Sequence, residues 1–428
     1  MSEEVREGIH QLKTALIVGI YLNKEAKKEC EEYLEELTAL ADTLGLEVVS
    51  SHPCPIKKLC AATYIGSGKV EELAKIANEM HADAIIFDDE ISPNQQKNLE
   101  EVFKKPVLDR TELILEIFAQ RAQTKEATLQ IELAKINYQM PRLKRLWTHL
   151  SRQKVGGGGA YLKGEGEKQI ELDRRILKER RAKIESEIKE VRRQRQTQRH
   201  QRIKNKIPSF AIVGYTNSGK STLLNALTDA GVLMEDKLFA TLDTTTRQYT
   251  LPNNQSILLV DTVGFIRKLP HTLVAAFKST LEEVLYTDIL LHVVDISHRA
   301  AKQHAEETLK VLKELKASDK PIITLLNKID KCENPIIATR FRVEYSKTVV
   351  ISAKEKTGFD DLFQLMMKEI KALRKIVRLK VPQSEYALIS ELIKEGRVLT
   401  SEYDENDVIL LVEIPNELEY KTLIYQSC

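Results

Sequence analysis

The chain has 428 residues, 42% hydrophobic and 30% charged, with a net charge of +2. Its length exceeds one typical domain and calls for two to four, and no run approaches the roughly 20 apolar residues that span a bilayer. Residues 1–7 are polar and acidic, unlike a signal peptide. The five cysteines (Cys30, Cys54, Cys60, Cys332, Cys428) lack metal-ligand spacing, so they read as free thiols of a reducing compartment, and the expected location is cytoplasmic.

The predicted fold class is α/β, in four parts. Residues 1–110 form a small N-terminal α/β domain: strands at 14–21, 46–49, 84–87 and 106–109 alternate with helical patterns. The fragment Gly66-Ser67-Gly68-Lys69 looks like half of a phosphate loop. It lacks the first glycine turn and a hydroxyl after the lysine, where Val70 stands, so it reads as a helix start. Residues 111–206 form a helical hairpin around a Gly-rich loop. The first arm carries Ile114, Phe118, Leu129, Leu133 and Ile136, the loop carries glycines 156–159, and the second arm carries Leu177, Ile184, Ile188 and Val191. The second arm ends in seven basic side chains between Arg192 and Lys206 with no acidic one. Such a run is often only a solvated helix face, but uncompensated charge of one sign also suits a polyanion.

Residues 207–375 form an α/β domain whose strands each end at a polar motif. Strand 210–213 leads into Gly214-Tyr215-Thr216-Asn217-Ser218-Gly219-Lys220-Ser221, which matches G-x-x-x-x-G-K-[ST]. The glycines let backbone N–H groups face phosphates, Lys220 reaches the β and γ phosphates, and Ser221 offers a hydroxyl to Mg²⁺. The helix from Thr222 adds its positive end. Asp261-Thr262-Val263-Gly264 follows a second strand about forty residues on. Asp261 can hold Mg²⁺ through water, and Gly264 N–H can sense the γ-phosphate. Asn327-Lys328-Ile329-Asp330 follows a later strand. The Asp330 carboxylate can accept from guanine N1–H and the 2-amino group, a pair adenine does not present; the Lys328 stem can lie over the ring. Ser352-Ala353-Lys354 completes the base pocket, with Ala353 N–H as the expected donor to guanine O6. The expected activity is therefore GTP hydrolysis. Residues 376–428 read either as a small α+β unit or as extra strands on the neighbouring domain.

These motifs resemble the translation-factor-related P-loop GTPases, and the whole chain resembles the HflX family of ribosome-associated GTPases. The family's switch-I signature appears as Phe239-Ala240-Thr241-Leu242-Asp243 followed by Thr244-Thr245-Thr246-Arg247, and its linker as Gly164-Glu165-Gly166-Glu167 and Glu171-Leu172-Asp173-Arg174-Arg175. Two positions depart: Lys163-Gly164-Glu165-Gly166-Glu167 replaces the usual Arg-Gly-Pro-Gly-Glu, and Thr244 replaces a proline. The resemblance implies that residues 239–243 border the nucleotide and that Thr241 joins Ser221 and Asp261 as a Mg²⁺ ligand. It also implies a catalytic set of Lys220, Thr241 and Gly264. The implied partner is the 50S ribosomal subunit and its rRNA, with a role in splitting, rescue or assembly and ribosome-stimulated hydrolysis. Arg192, Arg193, Arg195, Arg199, Arg142, Lys144, Arg145 and Arg152 are candidate RNA contacts. The other readings are a signalling GTPase with a protein target and a membrane-linked GTPase, for which the sequence offers no anchor. A monomer meets every expectation. Phe265 stands where Ras-like enzymes carry a water-orienting glutamine, so slow intrinsic turnover is expected, with Arg247 and His271 as unranked alternatives.

Overall fold

The computed structural model describes residues 12–143, 165–204, 207–228, 238–239, 245–268, 283–332, 336–404, 406–415 and 418–426. The first sheet holds β1 (Thr14–Tyr21), β2 (Glu47–Pro55), β3 (Ala84–Phe87) and β4 (Val107–Asp109), all parallel, in the order β2-β1-β3-β4. Both faces of β1 are buried. Ala15 and Ile17 pack on one side and Leu16 and Val18 on the other, which explains its unbroken apolar run. Helix α1 (Lys24–Thr43) is capped by the Asn23 side chain, which accepts from Ala26 N at 2.8 Å. Helix α2 (Ser67–Glu79) starts at the Gly66 cap, as the sequence suggested. Helix α3 (Pro93–Phe103) opens on a reciprocal Ser92–Gln95 capping box.

Helix α4 (Arg110–Arg121), capped by Asp109, departs from the expected first hairpin arm. Its Leu113, Ile114, Ile117 and Phe118 join the core on the β1 sheet. The slip in helical phase is a real break at residues 122–124. Thr124 caps α5 (Lys125–Gln139), its side chain accepting from Ala127 N at 3.2 Å. Helix α5 packs Leu129 and Ile136 against Ile184 and Ile188 of the 40-residue helix α6 (Glu165–Lys204). The glycines at 156–159 and 164, with Lys144, Arg145 and Arg152, lie outside the described residues. Arg142 is described, and it is buried. Its guanidinium donates to Ile91 O at 2.8 Å and reaches Asp109 at 3.4 Å, so it serves the core and is not an RNA contact.

The second sheet has six strands in the order β10-β9-β8-β5-β7-β6: β5 (Ser209–Gly214), β6 (Thr245–Thr250), β7 (Ser256–Asp261), β8 (Ile289–Asp295), β9 (Ile322–Asn327) and β10 (Thr348–Val350). All pair in parallel except β6, which lies antiparallel on β7. Its polar, half-exposed sequence concealed β6 as a strand. Helices α7 (Lys220–Thr228), α8 (Ala301–Glu314), α9 (Ile336–Glu344) and α10 (Phe359–Ala372) accompany this sheet. Phe210 and Ile212 face one core, whereas Ala211 and Val213 face the cluster that also holds α1 and α4. The first two sheets therefore share one apolar core.

The remaining strands, β11 (Arg374–Pro382), β12 (Arg397–Asp404) and β13 (Asp407–Pro415), make a separate antiparallel sheet, β11-β13-β12. Helix α11 (Tyr386–Glu395) places Ile389 and Leu392 on its Leu379, Leu410 and Val412. Of the two arrangements the sequence left open, the tail takes its own sheet and core. No described helix is long and apolar enough to cross a membrane.

Candidate nucleotide site

The loop between β5 and α7 lies at the carboxyl edge of the six-stranded sheet, where such folds take ligands. Gly219 has φ +95°, and a Cβ there would lie 2.2 Å from Asn327 Nδ2. Only glycine permits that backbone and that approach. Lys220 is buried, and burial pushes its ammonium down to about 8 while Asp261 opposes the shift. Its Nζ donates to Tyr215 O at 2.7 Å. The hydroxyls of Thr216 and Ser218 are buried without a protein partner. A buried ammonium beside orphaned hydroxyls, at a helix start, is chemistry suited to phosphate.

Ser221 Oγ donates to Asp261 Oδ2 at 3.0 Å, and Asp261 is fully buried. A hydroxyl and a carboxylate at this spacing form a hard oxygen donor pair that suits Mg²⁺. Thr241, the third expected ligand, lies outside the described residues, as do Ala240, Leu242 and Asp243. Thr262 donates its hydroxyl to Ile212 O at 2.7 Å and so braces β5, and Val263 packs in the shared core. Gly264 sits hard against the phosphate loop: a Cβ there would fall 2.9 Å from Lys220 Nζ and 3.0 Å from Thr216 Cα.

The base-recognition motif is wired into this loop. Asn327 Nδ2 donates to Ser218 O at 2.8 Å, and Asn327 Oδ1 accepts from Ala353 N at 2.9 Å. Asn327 thus ties the phosphate loop to the 352–354 loop. Ala353 N–H, expected to face guanine O6, is directed at Asn327 here. Lys328, at φ +63°, donates to Asn217 O and pairs with Asp295, both at 2.8 Å. Asp330 is exposed, and the Ser352 hydroxyl holds its carboxyl below the usual range, keeping it an ionised acceptor. Ile329 is half-buried among apolar neighbours, and Lys354 is exposed.

Two residues are placed differently from the expectation, and a third, Phe265, fits it. The Phe239 ring stands edge-on to Phe118 of α4 at 4.5 Å, so it anchors its segment in the apolar core and does not face the nucleotide. Tyr215 offers the phosphate loop only its backbone. Its ring stacks on His304 at 3.8 Å, and its hydroxyl donates to Glu36 of α1 at 2.6 Å. Phe265 is 2% exposed in the shared core, so its side chain stays away from any attacking water. Arg247 is exposed on β6, and His271 lies outside the described residues. Nothing in the sequence pointed to Glu36 or Arg267 at this site. Arg267 Nε donates to Glu36 at 2.5 Å across 231 positions of chain, a separation no local pattern encodes.

Three family models match the chain in order: "GTP-binding GTPase N-terminal" at residues 31–119, "GTP-binding GTPase Middle Region" at 121–202 and "50S ribosome-binding GTPase" at 209–328. A GTPase HflX from Chlamydia pneumoniae is 49% identical over 95% of this chain and 87% of its own length. The GTPase HflX of Escherichia coli is 40% identical over 94% of this chain and 93% of its own. Among solved structures, a GDP-bound GTP-binding protein from Sulfolobus solfataricus is 30% identical, covering 83% of this chain and 98% of its own at a TM-score of 0.44. With its phosphate loop, Asp261 motif and Asn327–Asp330 motif assembled at one sheet edge, the chain belongs to the GTPase HflX family and is a GTPase.

Proposed function

We propose that this GTPase acts on the large (50S) ribosomal subunit and its rRNA, in splitting, rescue or assembly, with hydrolysis stimulated by the ribosome. The observation that carries this reading is the match of the nucleotide-binding region to a 50S ribosome-binding GTPase model. The seven Lys and Arg residues from Arg192 to Lys206, with no Asp or Glu among them, support it, because a phosphate backbone attracts charge of that sign.

Within the site, the loop at 214–221 cradles the phosphates and Lys220 supplies positive charge to them. Asp330 selects guanine. Ser221, Asp261 and Thr241 would hold Mg²⁺, which when bound neutralises phosphate charge. Residues 240–243, Thr222, Gly264 and Ser352 to Lys354 complete the proposed nucleotide contacts. Because Phe265 is buried in the core, no side chain at that position orients water. The site is thus built to bind GTP readily and hydrolyse it slowly until a partner completes it. A monomer acting in the cytoplasm fits this reading.

Cosedimentation with purified 50S subunits tests it. More protein should pellet with a non-hydrolysable GTP analogue than with GDP, and reversing the charges between Arg192 and Lys206 should reduce the pelleted fraction. Absence from the ribosomal fraction in either nucleotide would refute the reading.

A further inference from the structure

The first sheet has its topological switch point between β1 and β3, and in open α/β sheets the crevice at the strands' carboxyl ends there receives a ligand. Here the crevice is acidic. Asp88 follows β3 directly, Asp89 stands beside it, and Glu36 leans in from α1. Its occupants are two basic side chains from the loop after Gly264. Arg267 donates to Glu36 at 2.5 Å, and Lys268 pairs with Asp88 at 2.7 Å and with Asp89. Arg267 also lies over the Tyr33 ring, its Cζ 3.2 Å from the centroid, in cation–π contact. The buried Arg110 holds the acidic pair in place, bonding Glu36 at 2.5 Å and Asp88 at 2.8 Å. Burial alone would raise the Glu36 carboxyl, but Arg110 and Arg267 hold it at about 2, so it stays charged.

The same loop is stitched to the phosphate loop. Thr216 N–H donates to Phe265 O at 2.7 Å, Phe265 N–H donates to Gly214 O at 3.0 Å, and Arg267 N–H donates to the Tyr215 hydroxyl at 3.0 Å. Lys220 Nζ is bonded to Tyr215 O. Thr216 N–H is a donor of the kind a terminal phosphate uses, and in this arrangement it is spent on Phe265 O. To engage it, a γ-phosphate must draw residues 265–268 away from the phosphate loop. That movement pulls Arg267 and Lys268 against their hold on Glu36, Asp88 and Asp89.

We propose that Glu36, acting through Arg267 and the Tyr215 hydroxyl, is a positioning residue of the GTPase site. It holds the post-Gly264 loop in the arrangement that favours GDP over GTP. By reciprocity, a bound γ-phosphate weakens the seat of the first sheet's unit on the nucleotide site. The proposal rests on the GTPase activity and not on any ribosomal partner.

The test is equilibrium binding of GDP and of a non-hydrolysable GTP analogue to the full chain and to Glu36→Gln, Tyr215→Phe and the double variant. Both single variants should raise the affinity ratio of analogue to GDP about five- to tenfold. GDP affinity should stay within about twofold, and the double variant should do no more than the larger single, as expected of one connected device. A purely structural role would lower both affinities together. That outcome, an unmoved ratio, or a shift toward GDP would overturn the proposal. Tyr215→Phe keeps the ring for its stack on His304. It therefore carries the test alone if circular dichroism shows Glu36→Gln to be unfolded.

Discussion

The Tyr215 hydroxyl donates to the Glu36 carboxylate at 2.6 Å, joining the second residue of the phosphate loop to a helix of a different sheet. Arg267 and Arg110 bond the same carboxylate. Removing one member of such a cluster strands the others in a poorly hydrated space. Glu36→Ala is expected to cost about 3–5 kcal/mol of stability, checked by urea unfolding against Glu35→Ala, whose side chain is more exposed.

Acid should loosen the same junction. The Glu36 carboxyl lies at about 2 in the folded chain, below its ordinary 4.5. The unfolded chain then binds more protons between these values, so stability is full above pH 4.5 and falls as pH drops toward 2. His292 adds loss at higher pH. It is fully buried, neither ring nitrogen has a protein partner, and burial pushes it from 6.5 down to about 4. Its contribution is complete above pH 6.5 and declines as pH falls toward 4, by about 2 kcal/mol at pH 5. Melting curves from pH 8 to pH 5 should show a smaller decline for His292→Leu than for the unaltered chain.

Asp330→Asn should convert base preference. The carboxylate accepts two donors from guanine, whereas an amide can donate to the 2-oxo group of xanthine. GTP affinity should fall by about 100-fold, by the loss of charge-assisted hydrogen bonds, and XTP binding should appear. Competition between the two nucleotides for the variant measures both effects.

Phe265→Gln should leave unstimulated GTP turnover unchanged within about threefold, because position 265 faces the core. Phe265→Ala should instead destabilise the fold by about 3–5 kcal/mol through the cavity it leaves. Single-turnover hydrolysis and thermal melting together separate these outcomes. A glutamine variant that hydrolysed GTP tens of times faster would show that this side chain reaches the site.

The nucleotide motifs were legible because each is a short run at the end of an apolar strand, and β5, β7 and β9 all formed where those runs stand. The roles within the motifs were less so. Asn327 belongs to the base-recognition motif, yet its amide spans Ser218 and Ala353, a tie that requires three loops to be folded together. Strand β6 was hidden because Thr245-Thr246-Arg247-Gln248 carries no apolar alternation; it is held by its backbone ladder to β7. Phe239 and α4 were assigned to other parts because apolar spacing shows that a face is buried without naming its partner. Phe118 and Phe239 meet across 121 positions, and Glu36 and Arg267 across more. Such pairings follow from how the two sheets dock.

The central claim is a GTPase whose site is completed from outside. Single-turnover GTP hydrolysis by the full chain, with and without purified 50S subunits, tests it most directly. The account predicts slow hydrolysis alone and at least about a tenfold rise with subunits, equivalent to about 1.4 kcal/mol of barrier, abolished by Lys220→Ala. A rate that subunits leave unchanged would contradict it.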